Sequence, residues 1–450
     1  MRPSSLFLFL LMFGISIGNA AEPKDHDIAP SVLPHTVRGM HTAGFWLTRH
    51  PDPLKTIFSP TEINAFNEHI QNDLNLTKDI FVLTQEFKTD ALIGGFDKTI
   101  NAFIQKDLYT QSGVRDSQNY LEKAKLNMNA PGLVLGVAPR YGLVVHYADV
   151  RFFPMEEPLY VSPSDIDFDQ VQNSTLDVGT PVAVVHQSAD KKWYYVFAAL
   201  SQGWVQSDRV ALGDAKMVRD FVKSSDRAVA LAAKADIFLN EGMTTQHDAL
   251  RMGAYLPLVK ENGDYMVVRV PVLDQENKLL LMDGYVRSRE FHNGYLAYTA
   301  QNIITQAFVM LDKPYGWGGM YGEQDCSAFL DEVFATVGIV LPRDSKDQAM
   351  VGQLIAAFRP DQKNEERTKS FENAVGGLTL LPMKGHIMLY LGSIDKKPYA
   401  IHCLWAYRQH VGEKDVPKII NKVAVTDLTL GEGSAKGSLL KRLTKLIRVQ

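Results

Sequence analysis

PYGWGGMYGEQDCSAFLDEVFATV, residues 314–337, decides how this chain is read. From Cys326 onward apolar side chains recur at Phe329, Leu330, Val333, Phe334 and Val337, the spacing of a helix with one stripe turned to a core. Asp325 stands where an N-cap belongs, and the glycine-rich run before it stops the helix from extending backwards. Cys326 therefore opens a helix, where the positive end of the helix dipole favours thiolate. A thiolate is a nucleophile, and the next requirement is a base.

Two short apolar runs supply candidates. GHIMLYLG, residues 385–392, reads as a strand bounded by glycines, and AIHCLW, residues 400–405, reads as its partner across the turn 393–398. Each carries one histidine among apolar neighbours. A lone histidine in such a strand is usually a satisfied core residue. Two on antiparallel partners, downstream of a capped cysteine, fit a base for the thiol and a second group that fixes its tautomer and orientation.

With PYGWGG, DCSAF, GHIMLYLG and AIHC in that order, the segment resembles the NlpC family of papain-like bacterial cell-wall cysteine peptidases. The resemblance implies Cys326 as nucleophile, His386 as general base, His402 as the orienting third member, and Tyr315 as an oxyanion-hole donor beside the Cys326 N–H. It implies substrate-binding roles for Asp325 and Ser327 and for Arg343, Asp344 and Ser345 of LPRDSKDQ, with Asp344 similar to an aspartate that meets the free amine of a stem peptide. Ala328 stands where glycine is commoner, and Cys403 follows His402 where a small hydroxyl residue is usual.

Cys326 and Cys403 are the only thiols, so a disulfide between them is the alternative to a free nucleophile. Strand alternation puts His402 and Cys403 on opposite faces. With His402 turned to the Cys326 helix, Cys403 would face away as a buried small hydrophobe.

Export is read from the first 20 residues: Arg2, an apolar run from Leu6 to Ile17, and Gly18-Asn19-Ala20 as a small-residue cleavage site. The run is short for a membrane span of about 20 residues, and the mature chain is expected to be a monomer, without an integral membrane segment, in the periplasm, outside the cell or at the wall. Over 450 residues, 46% hydrophobic and 22% charged content are ordinary globular values, and a formal net charge of −4 gives no reason to expect nucleic acid. There is no zinc-ligand spacing, P-loop or dinucleotide fingerprint, so no metal or cofactor is expected.

Upstream, residues 31–130 read as a helical domain. Ser59-Pro60-Thr61-Glu62 is a capping box with proline at the first helical position, followed by Ile63, Phe66 and Ile70 on one face. From 131 the signal changes to short strands in a weak repeat of glycine, strand, turn, strand, then Gly-aromatic-Val: Gly179 to Val205, and again Gly253 to Val286. The repeat looks like a bacterial SH3-like barrel in tandem, 131–213 and 214–294, with Trp204 and Tyr285 weighed as core rather than ligand-stacking residues. The catalytic unit is expected at 295–450. Its last stretch, Ser438 to Gln450, has an amphipathic helical pattern that fits either a membrane-surface helix or, as the resemblance favours, a segment docked on the domain.

The resulting expectation is a multidomain α+β chain: helical N-terminal segment, two small SH3-like β-barrels and a C-terminal papain-like α+β domain. By resemblance it cuts the γ-D-glutamyl–L-diamino acid bond (diaminopimelate or lysine) of peptidoglycan stem peptides. The same resemblance places the first barrel across one end of the groove, which suits short peptides with a free N-terminus. The alternatives are a wall-binding protein without chemistry, and an amidase or acyltransferase using the same triad.

Overall fold

The structure, a computed structural model, describes residues 27–28, 32–82, 89–115, 117–133, 138–163 and 165–450. The expected export signal at 1–20 lies outside the described residues.

The C-terminal unit is a sheet backed by two helices. Seven strands run in the order Asp27–Ile28, Lys414–Asp427, Lys397–Val411, His386–Ile394, Thr379–Met383, Lys445–Arg448 and Gln353–Ala357. Helices Ala300–Val309 and Cys326–Ala335 cover one face, where Ile303, Ile304, Phe329, Leu330 and Phe334 meet Ile387, Leu389 and Ile401. Met388, Tyr390, Ala400 and Leu404, the alternate residues of the same strands, pack on the other face. This two-sided burial explains why both runs read as continuously apolar.

The C-terminal pattern does not become one helix. Leu439–Arg442 makes a single turn, capped by Ser438, and Lys445–Arg448 then enters the sheet between Thr379–Met383 and Gln353–Ala357. A strand with partners on both sides satisfies its backbone N–H and C=O groups and buries both Leu446 and Ile447.

Two further sheets lie upstream, each with seven strands. The first runs Val210–Gly213, Arg140–Val144, Pro181–Gln187, Trp193–Phe197, Gln202–Gln206, Ala148–Arg151, Gln172–Leu176; the second, traced from its last strand, runs Phe291–Asn293, Arg227–Ala230, Tyr255–Asn262, Tyr265–Leu273, Leu279–Arg287, Lys234–Phe238, Gln246–Arg251. The two orders are the same when each sheet's strands are ranked along the chain, so the weak sequence repeat corresponds to a repeated topology. Trp204 is fully buried in the core, while Tyr285 is half-buried against Tyr265.

The described residues of 31–130 do not close a core of their own. The capping box forms, with Ser59 and Glu62 exchanging hydrogen bonds, but Trp46, Ile63, Phe66 and Ile70 pack into the core of the C-terminal unit beside Ile303 and Phe334. Helices Thr89–Ile104 and Ser117–Asn127 instead send Phe96, Ile100, Phe103 and Leu121 into the core shared by the two upstream sheets. Each helical stripe is too narrow to stabilise a domain alone, and each finds a larger apolar partner elsewhere.

Candidate active site

Cys326 is the first residue of helix Cys326–Ala335, with Asp325 as its N-cap. The Asp325 carboxylate accepts from Ser327 N at 3.2 Å and Ala328 N at 2.9 Å, and from Gly318 N at 3.2 Å in the glycine turn. That turn needs its glycines. Gly319 has φ 90°, and a Cβ there would stand 2.4 Å from the Thr175 hydroxyl of the first barrel.

Arg343 completes the cap. It donates from Nη2 to Asp325 Oδ2 at 2.6 Å, from Nη1 to Asp325 Oδ1 at 3.1 Å and to Ser327 Oγ at 3.0 Å, and from Nε to Ser174 Oγ at 3.0 Å. Burial pushes the Asp325 carboxyl upward, but the Arg343 guanidinium and the helix N–H groups outweigh it and hold the group below the usual carboxylate range. Asp325, Ser327 and Arg343 thus spend their polar atoms on one another and on the barrel. Asp344 is exposed near Lys346, and neither it nor Ser345, which opens a one-turn helix, lines the Cys326 cleft.

His386 begins its strand and lines the same cleft as Cys326 and Tyr315. Its Nε2 lies 2.6 Å from Nδ1 of His402, and His402 Nε2 lies 2.9 Å from Thr426 Oγ1. His402 and Thr426 are fully buried. One consistent proton order has Thr426 accepting from His402 Nε2–H and His402 Nδ1 accepting from His386 Nε2–H, which leaves His386 Nδ1 as the free base. Sequence reasoning missed Thr426. It is the one hydroxyl in strand Lys414–Asp427, opposite Ala400, and finding it requires the strand register.

Cys403 does not face away from the nucleophile. It shares the core of the Cys326 helix with Ile401, and its thiol donates to Gln324 O at 3.1 Å; both cysteines are free. The alternation rule itself holds, since His402 falls with Ala400 and Leu404. The failed premise was that the histidines face the helix across the sheet. Cys326 and His386 instead line one cleft at the strand's beginning, where the Ile387 N–H donates to the thiol.

The thiol is not held as thiolate either. Burial and then the Asp325 charge push Cys326 up to about 12, against the helix dipole, while burial and then Arg442 push His386 down to about 3. Burial thus disfavours the charged form of both groups. Burial first, then Asp325, also keeps the Tyr315 phenol protonated and able to donate.

The cleft measures about 360 Å³. Phe168, from the first barrel, lines the cleft and packs on Tyr315 at 6.2 Å, Trp317 at 5.4 Å and Trp405 at 5.1 Å between ring centroids. The loop is pinned on both sides: Trp317 Nε1 donates to Asp169 O at 3.1 Å and Trp405 Nε1 to Asp167 Oδ2 at 3.2 Å. No local pattern marks Phe168, because it acts across a domain junction. A second cavity, about 260 Å³, lies among Asp331, Glu332 and Arg251 on the barrel side of the same helix, and Cys326 does not line it.

Residues 312–409 match the profile of the NlpC/P60 family, and residues 158–206 that of the SH3 domain (SH3b1 type). This chain carries an NlpC/P60 domain. The NlpC/P60 family are cysteine peptidases. A γ-D-glutamyl-L-lysine dipeptidyl-peptidase of Bacillus subtilis (strain 168) is 30% identical over 122 residues, which is 24% of this chain and 41% of that protein. The match therefore spans less than half the length of the curated relative. In fold, the chain is similar to an NlpC/P60 endopeptidase from Photobacterium damselae subsp. piscicida, with a TM-score of 0.77 at 22% identity, over 94% of this chain and 99% of that one. A NlpC/P60 family protein from Bacillus cereus ATCC 10987 aligns with 69% of this chain and 99% of its own at 16% identity and a TM-score of 0.47.

Proposed function

We propose that this chain is an exported cysteine endopeptidase that hydrolyses the γ-D-glutamyl–L-diamino acid bond of short peptidoglycan stem peptides. The observation that carries the reading is one cleft holding a helix-first cysteine and a histidine whose second nitrogen is tied into the line His386–His402–Thr426. The name of the Bacillus relative supports the bond, and a cell-wall substrate supports action in the periplasm or outside the cell. The aromatic wall at Phe168 supports a short peptide over a long crosslinked polymer, because a strand threading the cleft would have to pass it.

In this mechanism His386 Nδ1 takes the Cys326 proton as the sulfur attacks the amide carbonyl, so thiolate forms only as it reacts. The Cys326 N–H and the Tyr315 hydroxyl donate to the oxyanion. The imidazolium then gives its proton to the leaving amine, and the C–N bond breaks to leave a thioester. Water, deprotonated by His386, attacks that thioester and releases the γ-carboxylate and the free thiol. His402 and Thr426 keep the imidazole aimed throughout.

The test is mass analysis of products from a purified stem tripeptide and from intact sacculi. The expected result is cleavage between D-glutamate and the diamino acid, faster on the tripeptide. Cys326→Ala should lower kcat at least about 10³-fold with the fold intact; full activity in that variant refutes the reading.

A further inference from the structure

The second cavity, on the barrel side of the Cys326 helix, is built from three parts of the chain. Its walls come from the first barrel at 174–181 and 198–201, from the second barrel at 251–255, and from the catalytic helix at Ala328, Asp331, Glu332 and Ala335. Leu176, Val178, Ala198, Met252 and Ala335 make much of that wall apolar.

Its charged side chains do not balance. Three carboxyl groups, Asp177, Asp331 and Glu332, line it with two guanidiniums, Arg251 and Arg343. Arg343 gives both Nη groups to Asp325. Arg251 donates to Asp177 from Nε at 3.1 Å and from Nη2 at 2.7 Å. Asp331 accepts from the Leu341 N–H. Glu332 is left with an ion pair to Arg251 Nη1 at 3.4 Å; its two oxygens accept no hydrogen bond, and the residue is only 6% exposed. A buried carboxyl without a donor costs free energy, and a cation entering the cavity would supply what Arg251 does not. Burial, the largest cause, pushes Glu332 up to about 8 and Asp331 up to about 7, so an added positive charge has most to gain beside them.

The walls decide the kind of cation. A hard metal ion needs several oxygen ligands, and among the described residues no three His, Cys, Asp or Glu side chains stand close enough to hold one. A volume of about 260 Å³ with aliphatic sides fits instead an ammonium group on a short hydrocarbon body. Its N–H groups would reach the carboxyl, and its carbons would cover the apolar side chains.

We propose that this cavity is a second binding site, for a small organic ammonium compound, in which Glu332 pairs with the ammonium and Asp331 adds negative charge. The inference does not rest on the peptidase reading, since Cys326 does not line the cavity and the test reads binding. Because the walls join both barrels to the helix that begins at Cys326, the bound compound would brace that junction.

The experiment titrates n-butylammonium, n-butanol and potassium chloride separately into the full chain, with calorimetric Kd and Tm as readouts. In wild type, n-butylammonium should bind at least about 10-fold more tightly than n-butanol, the margin a charge-assisted hydrogen bond supplies. Potassium at equal ionic strength should not raise Tm. Glu332→Gln, which keeps the shape, should remove the margin, and Asp331→Asn should narrow it. Equal binding of the two organic probes, the same Tm rise with potassium, or an undiminished margin in Glu332→Gln overturns the proposal. So does an absence of n-butylammonium binding at about 50 mM, well above the millimolar Kd open to so small a ligand. The wild-type comparison needs no variant to fold. A final arm separates a free amine from the amine of a stem peptide. Saturating Cys326→Ala with a stem tripeptide should leave the n-butylammonium Kd within about 2-fold, as expected of independent sites. Displacement by the tripeptide would put the substrate's own amine in this cavity and sink the claim of a second site.

Discussion

The imidazoles of His386 and His402 are joined Nε2 to Nδ1 at 2.6 Å, and the second is joined in turn to Thr426 Oγ1 at 2.9 Å. Because His402 and Thr426 have no exposure, water cannot replace either partner. Thr426→Val keeps the shape but leaves His402 Nε2–H unpaired, a penalty of about 1–3 kcal/mol. Part of the population then adopts the tautomer that protonates His386 Nδ1. The expected outcome is a kcat roughly 3- to 30-fold lower with KM little changed. His402→Ala, which removes the orienting ring, should cost about 10²- to 10⁴-fold. Steady-state kinetics on one stem peptide checks both, and a Thr426→Val enzyme of full activity breaks the proposed proton order.

The pH profile follows from the depressed His386. A base works only when deprotonated, so lowering its pKa moves the acid limb of kcat/KM to lower pH. With His386 pushed down to about 3 by burial and then by Arg442, activity should persist well below the ordinary histidine value of about 6.5. Removing the Arg442 cation makes the imidazolium less unfavourable, so Arg442→Gln should move the limb upward. A wild-type limb at or above pH 7 contradicts this arrangement.

Much of this site was legible because its parts are local. A capped helix, a glycine turn and two histidine strands each fit within a dozen residues, and short-range spacing fixes each of them. What escaped the sequence depends on long-range packing. Phe168 reaches the cleft from a barrel loop more than 140 residues upstream of Tyr315, Thr426 is placed by strand register, and Cys403 is turned inward because the nucleophile meets the sheet at a strand's end. The split of residues 31–130 between two cores was equally hidden, since an amphipathic stripe specifies an apolar partner without saying which one. The thiol's raised pKa shows the same limit: the helix dipole is readable, but the burial that outweighs it is not.

Asp325 joins the cap to the barrel through Arg343, and removing its charge should show in stability. Asp325→Asn keeps an N-cap acceptor but leaves a buried guanidinium unpaired, which costs about 3–5 kcal/mol. The carboxyl's folded pKa is depressed, so its contribution is present above the unfolded value of about 3.9 and disappears as pH falls through the folded value. Urea melts at pH 7 and pH 3 should show a large gap between wild type and Asp325→Asn at the first and a smaller gap at the second. No gap at pH 7 would mean the ion pair contributes nothing.

Glu332, on the barrel side of the Cys326 helix, should behave in the opposite sense. It is buried, both carboxyl oxygens lack a hydrogen-bond partner, and Arg251 Nη1 stands 3.4 Å away while giving its better bonds to Asp177. Burial pushes Glu332 up to about 8 and its neighbour Asp331 up to about 7. A raised folded pKa means the native state holds a proton that the unfolded chain has released, so stability is full below about pH 4 and declines as pH climbs through the folded value. For Glu332 the loss by pH 8 is on the order of 2–4 kcal/mol. Glu332→Gln keeps the shape and cannot ionise. Its Tm should match wild type near pH 5 and exceed it at pH 8, with Asp331→Asn adding to the gain. If Glu332→Gln is instead less stable at pH 8 than at pH 5 relative to wild type, the carboxylate is charged in the folded protein and its pairing with Arg251 stabilises the junction between barrel and catalytic helix.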